Sequence, residues 1–506
     1  MARTGAPAPA PGLAGWRARL AEMAGIDLRS LAVLRVGLAT VILCDLATRA
    51  TDLTAHYSDG GVLPRATALA WLPVEAHLSI YTASGEPWFQ AVLFALAGLA
   101  AVALAAGWHT RSASMLSWYL LFALQARNPA ISNGGDNVLR LMLFWAMFLP
   151  LGARWSWDRA AGRLAAPAGP RVVSVAALAA RLQLCLVYWV TAAFKWSPAW
   201  LGGGAIAAAL RLDRLSTSWG RYLLHFPRLL RGLTRGTLAI EILGPVVAWS
   251  PWHTGPVQTV VVLAFVLLHL CGLRPALRLG SFPWVCSVAW ALFLPSWFWE
   301  QLHRGHLGRA LEALDRFDRR GEEARSTRRE QRRWGRRLGD GLAALLLVYV
   351  LLLNLRELGI APFGRLMSAA EWIAQSLSLH QRWNMFAPSP PDDDGWIIAA
   401  GRTQGGRVVD AWRQSALDLS RPEPLEAAYG NVRWTKYLGN LPAPDNVFQR
   451  QLFGKFLCRR WNAAHAGPER LESLTLVYMI ELTVPPDRKL PAKPLLLYAQ
   501  RCPGGT

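Results

Sequence analysis

Lysine is nearly absent from this sequence: of 54 basic side chains in 506 residues, only five are Lys, and Lys195 is the sole one before residue 436. Where charge alone is needed the chain uses Arg, which does not release its proton, so each lysine position is informative. Charged residues of all kinds are scarce at 17%, against 53% hydrophobic, and mean hydropathy is +0.21. That balance excludes an ordinary soluble surface. The six cysteines include no CxxC, which excludes the common zinc and dithiol frameworks and leaves no expected metal. Residues 1–27 show no basic start followed by an apolar core, so no cleaved leader is expected and the first apolar stretch should persist as a helix. No internal repeat is visible, which weighs against a transporter built from paired halves.

Long apolar stretches are what the sequence has instead. A membrane-crossing helix needs about 20 mostly apolar residues. Candidates lie at about 29–47, 88–106, 112–126, 136–152, 173–194, 237–250, 256–272, 280–297 and 339–355. The expected fold is a mainly α bundle of eight or nine transmembrane helices followed by a small α+β domain. The 25 Trp residues suit a chain with many membrane–water boundaries. The net charge of +21 does not indicate nucleic acid, because the arginines sit in the gaps between apolar stretches, as in cytoplasmic loops. Segments 1–28, 152–172 and 299–338 are Arg-rich and read as cytoplasmic, the last as a helical linker. A transmembrane domain then covers 29–298, the last span is 339–355, and 356–506 lies outside the cytoplasm. One loop breaks the rule: 195–236 falls outside yet carries six Arg. Arg over Lys, with abundant Ala and Gly, points to a bacterial inner membrane.

The tail opens with an expected interfacial helix near 365–379. Alternating runs from Trp396, around a 401–406 turn, and at 474–482 and 494–500 read as strands. Cys458 and Cys502 lie in this tail and could pair in an oxidising compartment, whereas Cys44, Cys185, Cys271 and Cys286 lie in apolar stretches.

Ionisable groups inside apolar stretches are the candidate functional residues, since an intramembrane charge is costly and faces a partner or a wet cavity. They are Arg35, Asp45, Asp136, Arg140, Arg181, Lys195, Glu241 and His269. Lys195 ends an apolar helix, where it either snorkels to the interface or, desolvated, serves as a base. Asp136 and Arg140 are four apart and suggest an i,i+4 ion pair. His269 reads as a satisfied buried histidine. Asp59 in His56-Tyr-Ser-Asp-Gly-Gly suggests a turn.

Several segments together resemble the horizontally transferred transmembrane domain family, which includes the vitamin K-dependent γ-glutamyl carboxylases. They are Leu31 to Arg35 through Asp45 with Tyr57-Ser-Asp-Gly60, and Gly134-Gly-Asp-Asn-Val-Leu-Arg140 through Pro150. Arg181-Leu-Gln183, Val187-Tyr188, Lys195 and Trp200-Leu-Gly202 follow, then His269 through Phe282 and Phe293-Leu-Pro295. The likeness covers about 28–298 and continues weakly through Trp383-Asn-Met385, Gly405-Gly406 and Phe456-Leu-Cys458. It implies a membrane enzyme of the carboxylase type with Lys195 as base, and Asp136 and His269 nearby. It also implies a quinone or hydroquinone cofactor, of vitamin K or menaquinone type, held by Tyr188, Arg181, Gln183 and Arg140. Asp136 stands where the carboxylases have a functional His, and Phe194 where they have a second Lys, which puts glutamate carboxylation in doubt. The alternative is a non-enzymatic factor that matures a secreted peptide or protein. Expected partners are membrane lipids and, in either case, a secreted peptide.

Overall fold

The computed structural model describes residues 21–503 apart from 73, 168, 321–332, 361–362 and 484–489. Each of the nine apolar stretches holds a helix. They are α1 (Leu28–Ala50), α2 (Pro87–Ala106), α3 (Thr110–Arg127), α4 (Gly134–Ala146), α5 (Val175–Phe194) and α6 (Pro227–Val247). Then come α7 (Thr254–Ala276) and α8 (Phe282–Phe293). After α9 (Ser296–Arg304) and α10 (Gly308–Arg319), α11 (Arg333–Glu357) is the ninth. Five are long and apolar enough to cross a membrane: α1, α2, α5, α7 and the 338–357 part of α11. The bent pair α8–α9, with 95° between its arms, makes a sixth if taken as one span. Among the others, α4 is short at 13 residues, and α6 opens on three arginines.

Local sequence sets the helix starts. Asp27 accepts from Arg29 N at 2.8 Å to cap α1, and Ser174 accepts from Ala177 N to cap α5. The carboxylate of Asp158, brought from another loop, takes the exposed amides of His109 and Thr110 at 2.9 and 2.7 Å and so starts α3. Pro opens α2, α6 and α8, where its missing N–H costs no hydrogen bond.

Polarity is inverted relative to a soluble bundle. Trp88, Val92, Leu96, Leu99 and Val102 form an exposed stripe on α2, and Leu338, Leu342, Leu345 and Val348 one on α11. Arg35, Asp45, Arg49, Asp136, Arg181 and Gln183 are buried. An apolar exterior round a polar interior is the arrangement that a lipid solvent selects. The chain is a helical membrane protein.

The helices run alternately between two ends. At one end Arg35 donates to the carbonyls of Leu151 and Trp155, Ser296 bonds Asp27, and Trp155 bonds Asp315 and Asp318 of α10. At the other end lie the loops 51–86, 128–133 and 195–226, which contact the tail. The loop 195–226 is structured there: Arg214 reaches Asp393 and Asp394, and Arg221 reaches Asp213 and Glu426. Asp59 does hold a turn: its carboxylate accepts from Arg65 N at 2.7 Å. In place of one helix near 365–379 there are two short ones, Phe363–Ala369 and Glu371–Ser376.

The tail is an α+β unit. Strands β1 (Trp396–Thr403), β2 (Val408–Asp410), β3 (Ser415–Ala416), β4 (Leu471–Ile480) and β5 (Lys493–Arg501) form one antiparallel sheet in the order β3-β2-β1-β4-β5. Helices α12 (Val432–Asn440) and α13 (Val447–Ala464) accompany it, and α13 packs on β4 and β5. Its Cys458 is disulfide-bonded to Cys502, 44 residues on. Closing a loop of that length removes unfolded-state entropy worth about 4 kcal/mol. Cys458→Ser should therefore lower the tail's thermal midpoint, read by limited proteolysis on heating.

Asp394 fastens the tail to the 195–226 loop. It is buried, accepts the backbone N–H of Asp213 and Arg214, and lies 3.7 Å from the Arg214 side chain. Burial outweighs Arg214 and lifts the Asp394 pKa to about 7. A folded value above the unfolded one means that protonation favours the docked tail. The gain is complete below the unfolded value of about 4 and is lost as pH rises through 7. Asp394→Asn, neutral throughout, should flatten the melting temperature against pH between about 4 and 7. An unchanged slope would assign that dependence elsewhere.

Candidate functional site

Lys195 caps the C-terminus of α5, where its backbone N–H still bonds Thr191 O at 3.1 Å. Its side chain turns inward. Nζ donates to both carboxylate oxygens of Glu241, at 2.7 and 2.9 Å, and lies 4.2 Å from the centre of the Trp200 ring. Lysine and glutamate are only 5% and 7% exposed, so neither snorkels into water. Trp200 is fixed by donating Nε1–H to Phe386 O at 2.9 Å, and Ser197 donates to Pro388 O. The segment leading into the tail therefore roofs the site.

Two turns back on α5, Tyr188 shares a face with Lys195, about 10 Å along the axis. Its hydroxyl lies 2.8 Å from His269 Nε2 and accepts from Trp290 Nε1 at 3.0 Å. If the hydroxyl proton goes to Nε2, the imidazole is neutral with its proton on Nδ1. Nδ1 is buried and has no hydrogen-bond partner, so the expectation of a satisfied histidine holds at one nitrogen only. His269 sits in the π-helical stretch Leu267–Leu273 of α7, a local unwinding that turns side chains out of register. Phe265 stacks on Trp290 with ring centres 3.9 Å apart, giving this end of the site an aromatic wall.

The remaining expected site residues are elsewhere. Asp136 does not pair with Arg140. Its carboxylate bonds Arg49 at 2.6 Å and Arg433 of α12 at 2.9 Å, while its other oxygen accepts Asn133 N as half of a capping box. Arg49 also bonds Asp45 at 2.7 Å and Tyr57 at 2.7 Å, and Arg433 closes the ring through Asp45. Two aspartates and two arginines thus form a buried, electrically neutral ring between α1, α4 and the tail. The structure thus gives Asp136 an ion-pair role joining α1, α4 and the tail.

Arg140 instead bonds Gln125 and the carbonyls of Ser378 and His380. Arg181 is at the far end of α5, where it bonds Leu292 O at 2.9 Å and packs 4.3 Å from the Phe293 ring. Gln183 belongs to a ladder with Trp145, Gln381 and Trp383. The structure gathers Lys195, Tyr188 and His269, and it disperses Arg140, Arg181 and Gln183.

Two partnerships were not foreseen: Glu241 was a candidate charge but was not paired with Lys195, and Arg433 was not a candidate. Glu241 had a signal, being the one acid in its apolar helix, and such a group requires a cation. Arg433 had none, because nothing in an amphipathic nine-residue helix says which basic side chain will be swallowed. Among the described residues no group of three His, Cys, Asp or Glu is placed to hold a metal. In comparisons with known proteins, no family model matches the chain, nor does any curated protein or solved structure.

Proposed function

We propose that this is a nine-span bacterial inner-membrane enzyme in which Lys195 and Glu241 act together to remove a proton from a weakly acidic hydroxyl. The observation that carries the reading is the buried, bidentate Lys195–Glu241 contact, with Tyr188 and His269 on the same face of the bundle. A proton moved along the 2.7 Å contact leaves a neutral amine and a neutral carboxylic acid. Apolar surroundings penalise the charge-separated form, so this neutral state is reachable. The amine can then accept a proton, and Glu241 can return its own.

The resemblance to the vitamin K-dependent carboxylases supplies the candidate substrate class, a hydroquinone. The unpartnered Nδ1 of His269 suits one of its oxygens, and the stacked Phe265 and Trp290 suit a flat ring beside them. When bound, such a group would supply the redox chemistry that side chains lack. The Cys458–Cys502 disulfide supports a tail on the oxidising side of the membrane.

A second reading has its own observation. Glu241 and Trp200 close round Lys195, as a purely structural cation would require, which fits a non-enzymatic maturation factor for a secreted peptide. The experiment is to purify the protein with native lipid, extract any quinone, and follow oxidation of reduced quinone by wild type and Lys195→Ala. Oxidation that depends on Lys195 supports the enzyme. Neither bound quinone nor Lys195-dependent turnover supports the maturation factor.

A further inference from the structure

The loop that breaks the charge rule contains three exposed arginines without counterions among the described residues. Arg228, Arg231 and Arg235 occupy the first three turns of α6, are exposed, and form no ion pair among the described residues. Their spacing of three and four places them along one side of the helix. The only acid on α6, Glu241, is taken by Lys195. Beside this row run Phe226, Leu229 and Leu233, also exposed and also spaced three and four. The short helix before α6 adds exposed Trp219 and Tyr222, whose rings stack with centres 5.6 Å apart.

Further along, α6 exposes Leu243, Val246 and Val247. Arg231 precedes Leu243 by 12 residues, roughly 18 Å of helix, about the distance from a headgroup to the middle of a bilayer. The basic row and the aromatic cluster therefore continue a lipid-facing surface at the height of the headgroups, where Trp and Tyr concentrate.

We propose that residues 218–235 form a docking surface for anionic phospholipid headgroups in the leaflet on the tail's side. The guanidinium groups take phosphate oxygens in pairs of hydrogen bonds, while Trp219, Phe226, Leu229 and Leu233 rest among the upper acyl carbons. A soluble acidic partner would satisfy the arginines but leave that apolar row uncovered. The proposal stands independently of any chemistry at Lys195.

The test is native mass spectrometry of the full-length protein titrated with phosphatidylglycerol or phosphatidylcholine. Wild type should retain phosphatidylglycerol at least tenfold more tightly. The triple variant Arg228→Gln/Arg231→Gln/Arg235→Gln should lose that preference, and the corresponding triple Lys variant should keep most of it. Equal affinity for the two lipids in wild type, or an undiminished preference in the Gln variant, overturns the proposal. So does poly-glutamate binding that depends on the same arginines without any lipid preference. Should the Gln variant not fold, a photoreactive phosphatidylglycerol must label residues 218–235 of wild type, and labelling confined to other segments overturns the proposal.

Discussion

Arg433→Leu should leave almost no folded protein. The substitution removes one cation from the ring of Asp45, Arg49, Asp136 and Arg433, so two carboxylates share a single guanidinium out of reach of water. Removing one partner from a buried ion network costs about 3–5 kcal/mol, a large part of a typical domain's stability. Arg433 also donates to Ile131 O at 3.1 Å, and that carbonyl would lose its partner as well. Arg433→Lys keeps the charge but cannot reach both aspartates at once, because an ammonium lacks the planar fork. It should lie between wild type and Leu. The measurement is fluorescence-detected size exclusion after a heating series. A Leu variant melting within a few degrees of wild type would show that water or a rearranged Arg49 supports the two acids.

The second large effect separates stability from chemistry at Lys195. Lys195→Met strands the Glu241 carboxylate and should destabilise by about 3–5 kcal/mol. The double variant Lys195→Met/Glu241→Leu removes both charges and refills the space with apolar atoms, an exchange that is often neutral or stabilising. It should melt near wild type. On the proposed proton-transfer reading turnover should differ: both variants lack the proposed base and should fall by about 100-fold or more. A double variant that is both stable and fully active would end the proton-transfer reading. One that is stable and inactive would show that the pair is kept for chemistry, since the fold does not need it.

Much of the architecture was legible because apolar length and strand alternation are local properties. The strand at Trp396, its hairpin partner and the two C-terminal strands appear where their runs predict. The electrostatics were less legible, and the two misplaced aspects share a cause. The spacing of Asp136 and Arg140 guarantees only that both lie on one side of a helix. Asp136 sits at the third position of α4, where its carboxylate folds back onto the Asn133 amide and faces Arg49. Arg140, a turn further on, meets the carbonyls of Ser378 and His380. Those partners are 87 and about 240 residues away, beyond any local pattern. Arg181 and Lys195 show the same limit: both are charges on α5, yet helix rise separates them by about 21 Å, so no single small ligand meets both.

The ring around Arg433 also bears on how the protein is made. Asp45, Arg49 and Asp136 belong to the first and fourth helices to be synthesised, whereas their fourth member is nearly 300 residues downstream of Asp136. Until that segment emerges and docks, the growing bundle carries an unmatched negative charge among its early helices. Chains stopped short of residue 433 would be left in that state. The charge balance of the first and fourth helices is therefore complete only once the far end of the chain has docked.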